Sequence, residues 1–180
     1  GGMGTGHLTL GASKLLAVCD VDQERLRKAL EKAGKDVKGY RDFREVLARP
    51  DIDIIHIATP PHWHGLMSLL AAQAGKDIWC EKPMTRTIGE GKKVVEMVNR
   101  CGRIFRLNTW FRFQSTFYGF GTNVAPLKKI ALRGLLGWPL KVTVNAATGF
   151  NWKFNWSGLI DAKPEPVPPS LDYDFWLGPA

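Results

Sequence analysis

A strand–helix–strand unit near the middle of the chain constrains the fold more than any other stretch. Asp51–Pro61 is a short apolar run stopped by two prolines, which predicts a buried strand ending in a turn. Ile78–Cys80 predicts a second buried strand. Between them, an apolar stripe with helical spacing is formed by Leu66, Leu69, Leu70 and Ala74. Gly75 follows as a C-cap, so the unit predicts two parallel neighbouring strands joined by a right-handed crossover.

The turns that end these two strands are the first candidates for a site. In parallel sheets, ligands bind outside the carboxyl ends of the strands, so Thr59–Pro61 and Glu81–Pro83 are expected to face one crevice. The second turn carries an amine, Lys82, and a carboxylate, Glu81, held beside a proline. The sequence leaves open whether the Lys82–Pro83 bond is cis.

Four glycines crowd the first six positions, and a predicted strand over Lys14–Cys19 ends in Asp20. Glycine-rich turns before a helix let backbone amides approach a pyrophosphate, so we expect Gly1, Gly2 and Gly4 to bind a dinucleotide. The distance from Gly4 to Asp20 is shorter than the usual ~20 residues, and no strand precedes the glycines. An ordinary glycine-rich turn is therefore the alternative.

Asp20 is predicted to accept hydrogen bonds from a ribose hydroxyl, because it lies at the tip of its strand. A carboxylate at this position favours NAD over NADP, since it would repel a 2′-phosphate. The alternative is that Asp20 caps the next helix, although Asp22 is also placed to do so.

Strands and helices alternate as far as residue 112, as a doubly wound sheet requires. A helix after Asp22 is closed by Gly34, Thr87 and Glu90 have the spacing of a capping box, and Ile104–Asn108 predicts another strand. Beyond that point the sequence is aromatic and proline-rich. We therefore expect a doubly wound α/β parallel sheet as far as residue 112 and the beginning of a second domain beyond it.

Composition narrows the class of protein. The net charge of +8 comes from basic residues interleaved with acidic ones, which argues against nucleic-acid binding and for an anionic small ligand. No apolar run is long enough to span a membrane, although an upstream export signal stays open. Three widely spaced cysteines predict reduced, buried thiols and a cytoplasmic protein. His62 and His64 lack a third metal ligand, so we expect no metal.

These motifs together resemble the Gfo/Idh/MocA oxidoreductase family. The likeness rests on the opening glycines, Ala58-Thr-Pro-Pro, His64, Gly75-Lys-Asp, Cys80-Glu-Lys-Pro-Met and a closing Leu171-Asp-Tyr-Asp-Phe-Trp-Leu-Gly-Pro. It implies a Rossmann-type α/β domain over residues 1–112, with its first strand missing, that binds NAD or NADP. It further implies the beginning of an α+β substrate domain over residues 113–180 that holds a sugar or polyol. It also implies a homo-oligomer formed through the C-terminal domain.

The resemblance assigns roles to single residues. Lys82 would be catalytic, with its ammonium bound to the hydroxyl being oxidised while the nicotinamide accepts hydride. Cofactor contacts would come from Gly1, Gly2, Gly4, Asp20, Thr59, Pro60, His64, Glu81 and Arg112. The enzyme would be an NAD(P)-dependent dehydrogenase of sugars or polyols.

Two departures keep other functions open. The family's first strand is expected before residue 1, and its downstream Asp-x-Gly-x-His stretch after Ala180, so we expect a chain truncated at both ends. One alternative is a relative that cleaves glycosidic bonds through transient oxidation by bound NAD. The other is a non-catalytic fragment that only binds NAD.

Overall fold

The computed structural model describes residues 4, 14–109, 116–117, 122–139, 141, 143 and 163–179. Strands and helices alternate over the longest described stretch. Its elements are β1 (Ala17–Cys19), α1 (Gln23–Ala33), β2 (Lys38–Tyr40), α2 (Phe43–Leu47), β3 (Ile54–Ile57), α3 (Pro61–Gln73), β4 (Asp77–Glu81), α4 (Ile88–Arg100) and β5 (Phe105–Asn108). The later elements are β6 (Thr116–Phe117), β7 (Thr122–Asn123), α5 (Val124–Leu132) and α6 (Tyr173–Leu177).

The chain divides into two compact units. Residues 1–109 and 167–180 form the first unit, and residues 110–166 form the second. The end of the chain thus packs with the first unit, and we call residues 167–179 the return segment. A division into compact units does not test the domain boundary predicted at residue 112, so that boundary stays a prediction. In the second unit, β6 pairs antiparallel with β7.

The first unit contains two parallel sheets. β1 pairs with β2, and β3, β4 and β5 form a three-stranded sheet in sequence order. Each pair of neighbouring strands is joined through a helix, which confirms the predicted α/β fold with parallel strands. In the described part of the chain, no ladder links β1 to β3, and a cleft lies between the two sheets.

The hydrophobic core lies between the three-stranded sheet and the two helices α3 and α4. Its most buried side chains come from strands β3 and β4 and from one face of each helix: Ile57, Ile78, Cys80, Ala71, Ala72 and Val94. Burial raises the pKa of the Cys80 thiol to about 12, so this thiol stays protonated at neutral pH.

The buried face of α3 differs from the predicted stripe. Leu69 and Leu70 pack against the core, but Leu66 and Ala74 are exposed. The fully buried positions are instead small or polar: Gly65, Ser68, Ala71 and Ala72, with Trp63 and His64 at the start of the helix. This face packs against α4, where a Cβ on Gly65 would make ordinary van der Waals contacts. A Cβ at Gly65 would lie 3.5 Å from Cβ of Glu90.

The prediction of reduced, buried cysteines is confirmed only in part. All three cysteines are free, as predicted, but Cys19 is exposed rather than buried. Its side chain lies at the end of β1 and lines the cleft between the sheets.

Across the described ranges, no helix has the length and apolar character that crossing a membrane requires.

The capping box at the start of α4 is confirmed. Oγ1 of Thr87 accepts a hydrogen bond from the Glu90 amide at 3.2 Å, and Oε2 of Glu90 accepts one from the Thr87 amide at 3.2 Å. The same carboxylate also accepts from the Arg86 amide at 3.0 Å. The box therefore ends the turn that carries Lys82 and begins the helix that packs on α3.

Thr87→Ala should lower the free energy of unfolding by about 0.5–2 kcal/mol, because it leaves a helix N–H without its acceptor. Urea denaturation followed by circular dichroism measures this loss. Thr87→Ser keeps the hydroxyl and should retain most of the stability. Equal losses in the two variants would contradict the capping role.

Candidate active site

The candidate active site lies at the carboxyl ends of β3 and β4. Thr59 and Pro60 follow β3, and Pro60 is the N-cap residue of α3. Pro61 occupies the first helical position, where its missing N–H costs no intrahelical hydrogen bond. Because β3 and β4 are parallel, this turn and the Glu81–Pro83 turn lie at the same edge of the sheet.

His64 joins the two turns. Its Nδ1 lies 2.6 Å from the carbonyl oxygen of Pro83, and its Nε2 lies 2.9 Å from that of Thr59. The side chain is only 1% exposed. A neutral imidazole carries one N–H and donates to one of these carbonyls, whereas a doubly protonated ring donates to both. Either form leaves no ring nitrogen for a cofactor, so any effect of His64 on binding would pass through Thr59 and Pro83.

Glu81 is buried inside the sheet edge. Its Oε1 accepts a hydrogen bond from Nδ2 of Asn108 at 2.5 Å, and Nε2 of His56 lies 4.0 Å from the same oxygen. Glu81 and Asn108 are direct neighbours across β4 and β5. The residue is only 4% exposed, so Glu81 is not a surface carboxylate. The pair fixes the strand end from which Lys82 emerges.

Lys82 combines a fixed backbone with a free side chain. The Lys82–Pro83 bond is cis, and the next carbonyl is held by His64. The side chain is exposed and makes no hydrogen bond or ion pair with the residues that the structure describes. Its ammonium is thus available to a ligand at the sheet edge.

Asp20 lies at the end of β1 and does not cap α1. Its Oδ1 accepts a hydrogen bond from the Asp22 amide at 3.0 Å. The cap is Asp22, whose Oδ1 accepts from the amides of Glu24 and Arg25 at 2.9 and 3.3 Å. The helix-capping alternative for Asp20 is therefore wrong.

The cleft between the two sheets has a volume of about 1220 Å³. Its interior is lined by apolar side chains of β1 and β3, and the residues that line it at the strand ends include Asp20, Thr59 and Pro60. Gly4 also lines it, next to Ala58. Glu81, Lys82 and His64 do not line this cleft, so the predicted residues form two neighbouring groups joined through His64 and Thr59.

Three predicted site residues are not described by the structure, and two features of the site were not predicted from the sequence. Gly1, Gly2 and Arg112 lie outside the described residues, so their cofactor roles stay predictions. Asn108 was missed, although its place at the end of a parallel strand was a usable signal. The return segment was also missed as part of the site, and it lines the cleft through Leu171, Phe175 and Trp176.

His64→Phe should destabilise the protein by about 1–3 kcal/mol, because at least one buried carbonyl loses its hydrogen-bond donor. Faster amide hydrogen exchange in both turns, measured by mass spectrometry, would locate the effect. Ser68→Ala is the control, since Ser68 lies one turn further along the same buried face and bonds neither turn. Unchanged exchange in the turns of the His64 variant would contradict the bridging role.

Comparison with known proteins agrees with the α/β fold described above. Residues 1–109 match the GFO_IDH_MocA model described as oxidoreductase family, NAD-binding Rossmann fold. Residues 120–180 match the model described as oxidoreductase family, C-terminal alpha/beta domain. The two models follow each other in the order that the sequence motifs predict.

Individual relatives are dehydrogenases of polyols and sugars. Inositol 2-dehydrogenase of Salmonella paratyphi B is 27% identical over 148 residues, which cover 79% of this chain and 42% of the relative. D-apiose dehydrogenase of Paraburkholderia graminis is 31% identical over 143 residues, or 79% of this chain and 36% of the relative. The crystal structure of myo-inositol 2-dehydrogenase from Lactobacillus plantarum superposes with a TM-score of 0.62 at 25% identity, covering 74% of this chain and 38% of that one.

This chain therefore spans 36–42% of the length of these three proteins. The Rossmann-fold match alone extends over residues 1–109 of 180, which is more than half of the sequence. The chain belongs to the Gfo/Idh/MocA oxidoreductase family.

Proposed function

We propose that the chain is part of an NAD(P)-dependent dehydrogenase that oxidises a hydroxyl group of a sugar or polyol. The observation that carries this proposal is the junction of two strand-end turns by His64, which fixes the backbone of Lys82 beside Thr59. Inositol and apiose dehydrogenases among the relatives support the substrate class. Because the chain spans less than half of those relatives, the activity is proposed for the whole protein.

The chemistry of the residues at the strand ends suits a dinucleotide. Asp20 lies at the cleft, and its carboxylate can accept hydrogen bonds from ribose hydroxyls. Thr59 and Pro60 lie across the cleft from β1 and offer an apolar and backbone surface to a flat ring. Gly4 adds a backbone approach without a side chain. We assign Asp20 to the adenosine half and Thr59 with Pro60 to the nicotinamide half.

Lys82 is the proposed catalytic residue. A bound nicotinamide would accept hydride from the substrate carbon. As hydride leaves, negative charge develops on the substrate oxygen, and the Lys82 ammonium stabilises it by donating a hydrogen bond. Glu81 and Asn108 hold the strand end at a constant position while the exposed lysine side chain adjusts to the substrate.

The proposal also covers the substrate, the cellular location and the oligomer. We propose a small polyhydroxylated substrate and a cytoplasmic enzyme, which three free thiols support. The homo-oligomer formed through the C-terminal domain stays a prediction.

Lys82→Ala should lower kcat for oxidation in the whole protein by about 10²–10⁴-fold, because it removes one charged donor from the transition state. NAD affinity should change less than about threefold, since the side chain binds substrate rather than cofactor. NADH absorbance on a panel of inositols and pentoses gives the rate, and release of an aglycone from glycosides would instead indicate cleavage by transient oxidation.

The matched control is Lys92→Ala, which removes an exposed lysine from α4 and should leave the rate unchanged. Oxidation that survives in the Lys82 variant would contradict its catalytic role. Saturable NAD binding without turnover on any substrate by the unaltered whole protein would favour the non-catalytic alternative.

Asp20→Ala should reduce the preference for NAD over NADP by about tenfold or more, because a carboxylate that binds the ribose and repels a 2′-phosphate is lost. Dissociation constants of both nucleotides, measured by titration calorimetry, give the ratio. Asp36→Ala carries the same charge change at an exposed turn and should leave the ratio unchanged. Equal ratios in the Asp20 variant and the unaltered chain would rule out the predicted ribose contact.

A further inference from the structure

The return segment is attached to the loop that follows Asp20. The Gln23 amide donates to the carbonyl of Ser170 at 2.9 Å, and the Asp172 amide donates to the carbonyl of Val21 at 3.2 Å. Asp22 and Leu171 form an antiparallel bridge between these bonds. The return segment therefore runs beside the start of α1 as a short antiparallel partner, two residues beyond the proposed ribose-binding carboxylate.

A second attachment reaches the start of α3, directly after Thr59 and Pro60. The carbonyl of Trp176 accepts a hydrogen bond from Nε1 of Trp63 at 2.9 Å, and Nε2 of His62 lies 2.9 Å from the same oxygen. Trp63 is only 7% exposed, so its indole N–H has little access to water and needs the Trp176 carbonyl as its hydrogen-bond acceptor. This attachment lies in the first turn of α3.

An aromatic cluster fills the space between the two attachments. The ring of Phe175 lies 5.5 Å from that of Trp63 and 6.1 Å from that of Phe43, measured between centroids. Phe43 and Trp63 meet edge to face at 5.7 Å. The guanidinium of Arg44 lies 5.4 Å from the centre of the Phe175 ring. These contacts make the return segment a packed part of the first unit.

The two attached loops belong to different sheets. Asp20 ends β1, whereas Thr59 and Pro60 follow β3, and no ladder joins these strands within the described residues. The return segment bonds to the residues that directly follow each of them, and it lines the cleft between the two sheets. Its hydrogen bonds and rings are thus placed to set the distance between the two loops.

We infer that the return segment is a positioning element that holds the Asp20 loop and the Thr59–Pro60 loop at the separation one dinucleotide needs. This inference rests on the proposed function, in which the loops bind opposite halves of the cofactor. A linked ligand binds two half-sites more tightly than either fragment does, provided that the spacing of the half-sites matches the linker. Loosening the spacing should therefore weaken NAD but spare AMP, which occupies one half-site.

Gly178 offers a sharp test of this element. It closes α6 with φ of 48°, and a Cβ there would lie 2.6 Å from Cε2 of Trp63 and closer still to Cζ2. Gly178→Ala should push the end of the return segment away from α3. Gly102→Ala is the matched control, because Gly102 has φ of 60° and a Cβ added there would meet nothing within 4 Å. It imposes similar backbone strain without a collision.

Dissociation constants for NAD and AMP are measured on the full chain by titration calorimetry. Gly178→Ala should weaken NAD about tenfold or more and AMP less than about twofold, and Gly102→Ala should alter neither. Trp63→Phe removes the indole donor while keeping an aromatic ring, and should shift the same NAD-to-AMP ratio by a smaller factor. If the Gly178 variant does not fold, the Trp63 variant decides.

Two results would overturn the inference. One is unchanged NAD affinity in both variants, and the other is an equal loss for NAD and AMP, which would mean general damage rather than altered spacing. Failure of the proposed function is distinguishable, because the unaltered chain would then show saturable binding of neither NAD nor NADP. That result would remove the positioning role together with the cofactor.

Discussion

The site depends on one buried imidazole that touches two backbone carbonyls. The hydrogen-bond ladder between two parallel strands stops before the turns that follow them, so the ladder does not fix the distance between those turns. His64 supplies that constraint from α3, reaching Thr59 on one side and Pro83 on the other. The helix that covers the sheet thereby also positions the turns at its edge, which links packing of the core to geometry of the site.

Constraint is unevenly distributed around Lys82. Its backbone is held by the His64 contact that follows and by the Glu81–Asn108 pair that precedes it. Its side chain has no bonding partner in the described part of the chain. A fixed backbone with an exposed cationic tip suits the catalytic role proposed for Lys82, because the flexible side chain can reach a ligand while the turns at the sheet edge keep their position.

Features encoded by neighbouring residues were predictable. The β3–α3–β4 unit follows from apolar runs punctuated by proline and glycine, and the Thr87–Glu90 box follows from a spacing of three residues. The buried face of α3 was predicted less well, because the spacing of apolar residues cannot show that α3 buries Gly65 against α4 and leaves Leu66 exposed. Local pattern determines that a helix forms, but the shape of its neighbour determines which residues it buries.

Contacts between distant residues were not predictable in the same way. Glu81 and Asn108 are 27 residues apart, and Trp63 bonds a carbonyl 113 residues further on. Neither pairing leaves a periodic trace, since each depends on how separate elements meet in space. The closing Leu171–Pro179 motif was visible only as a likeness to relatives, and its packing on the loops after β1 and β3 required the structure.

The path of the chain has a consequence for the order in which this site can mature during translation. The return segment follows the second unit, residues 110–166, and yet it packs with the first. N-terminal domains generally begin folding while the ribosome is still elongating the chain. Here the sheets can form early, but the hydrogen bond from the indole of Trp63 forms only after Trp176 has been synthesised. A nascent chain arrested before that residue would hold both strand-end loops without the segment that joins them.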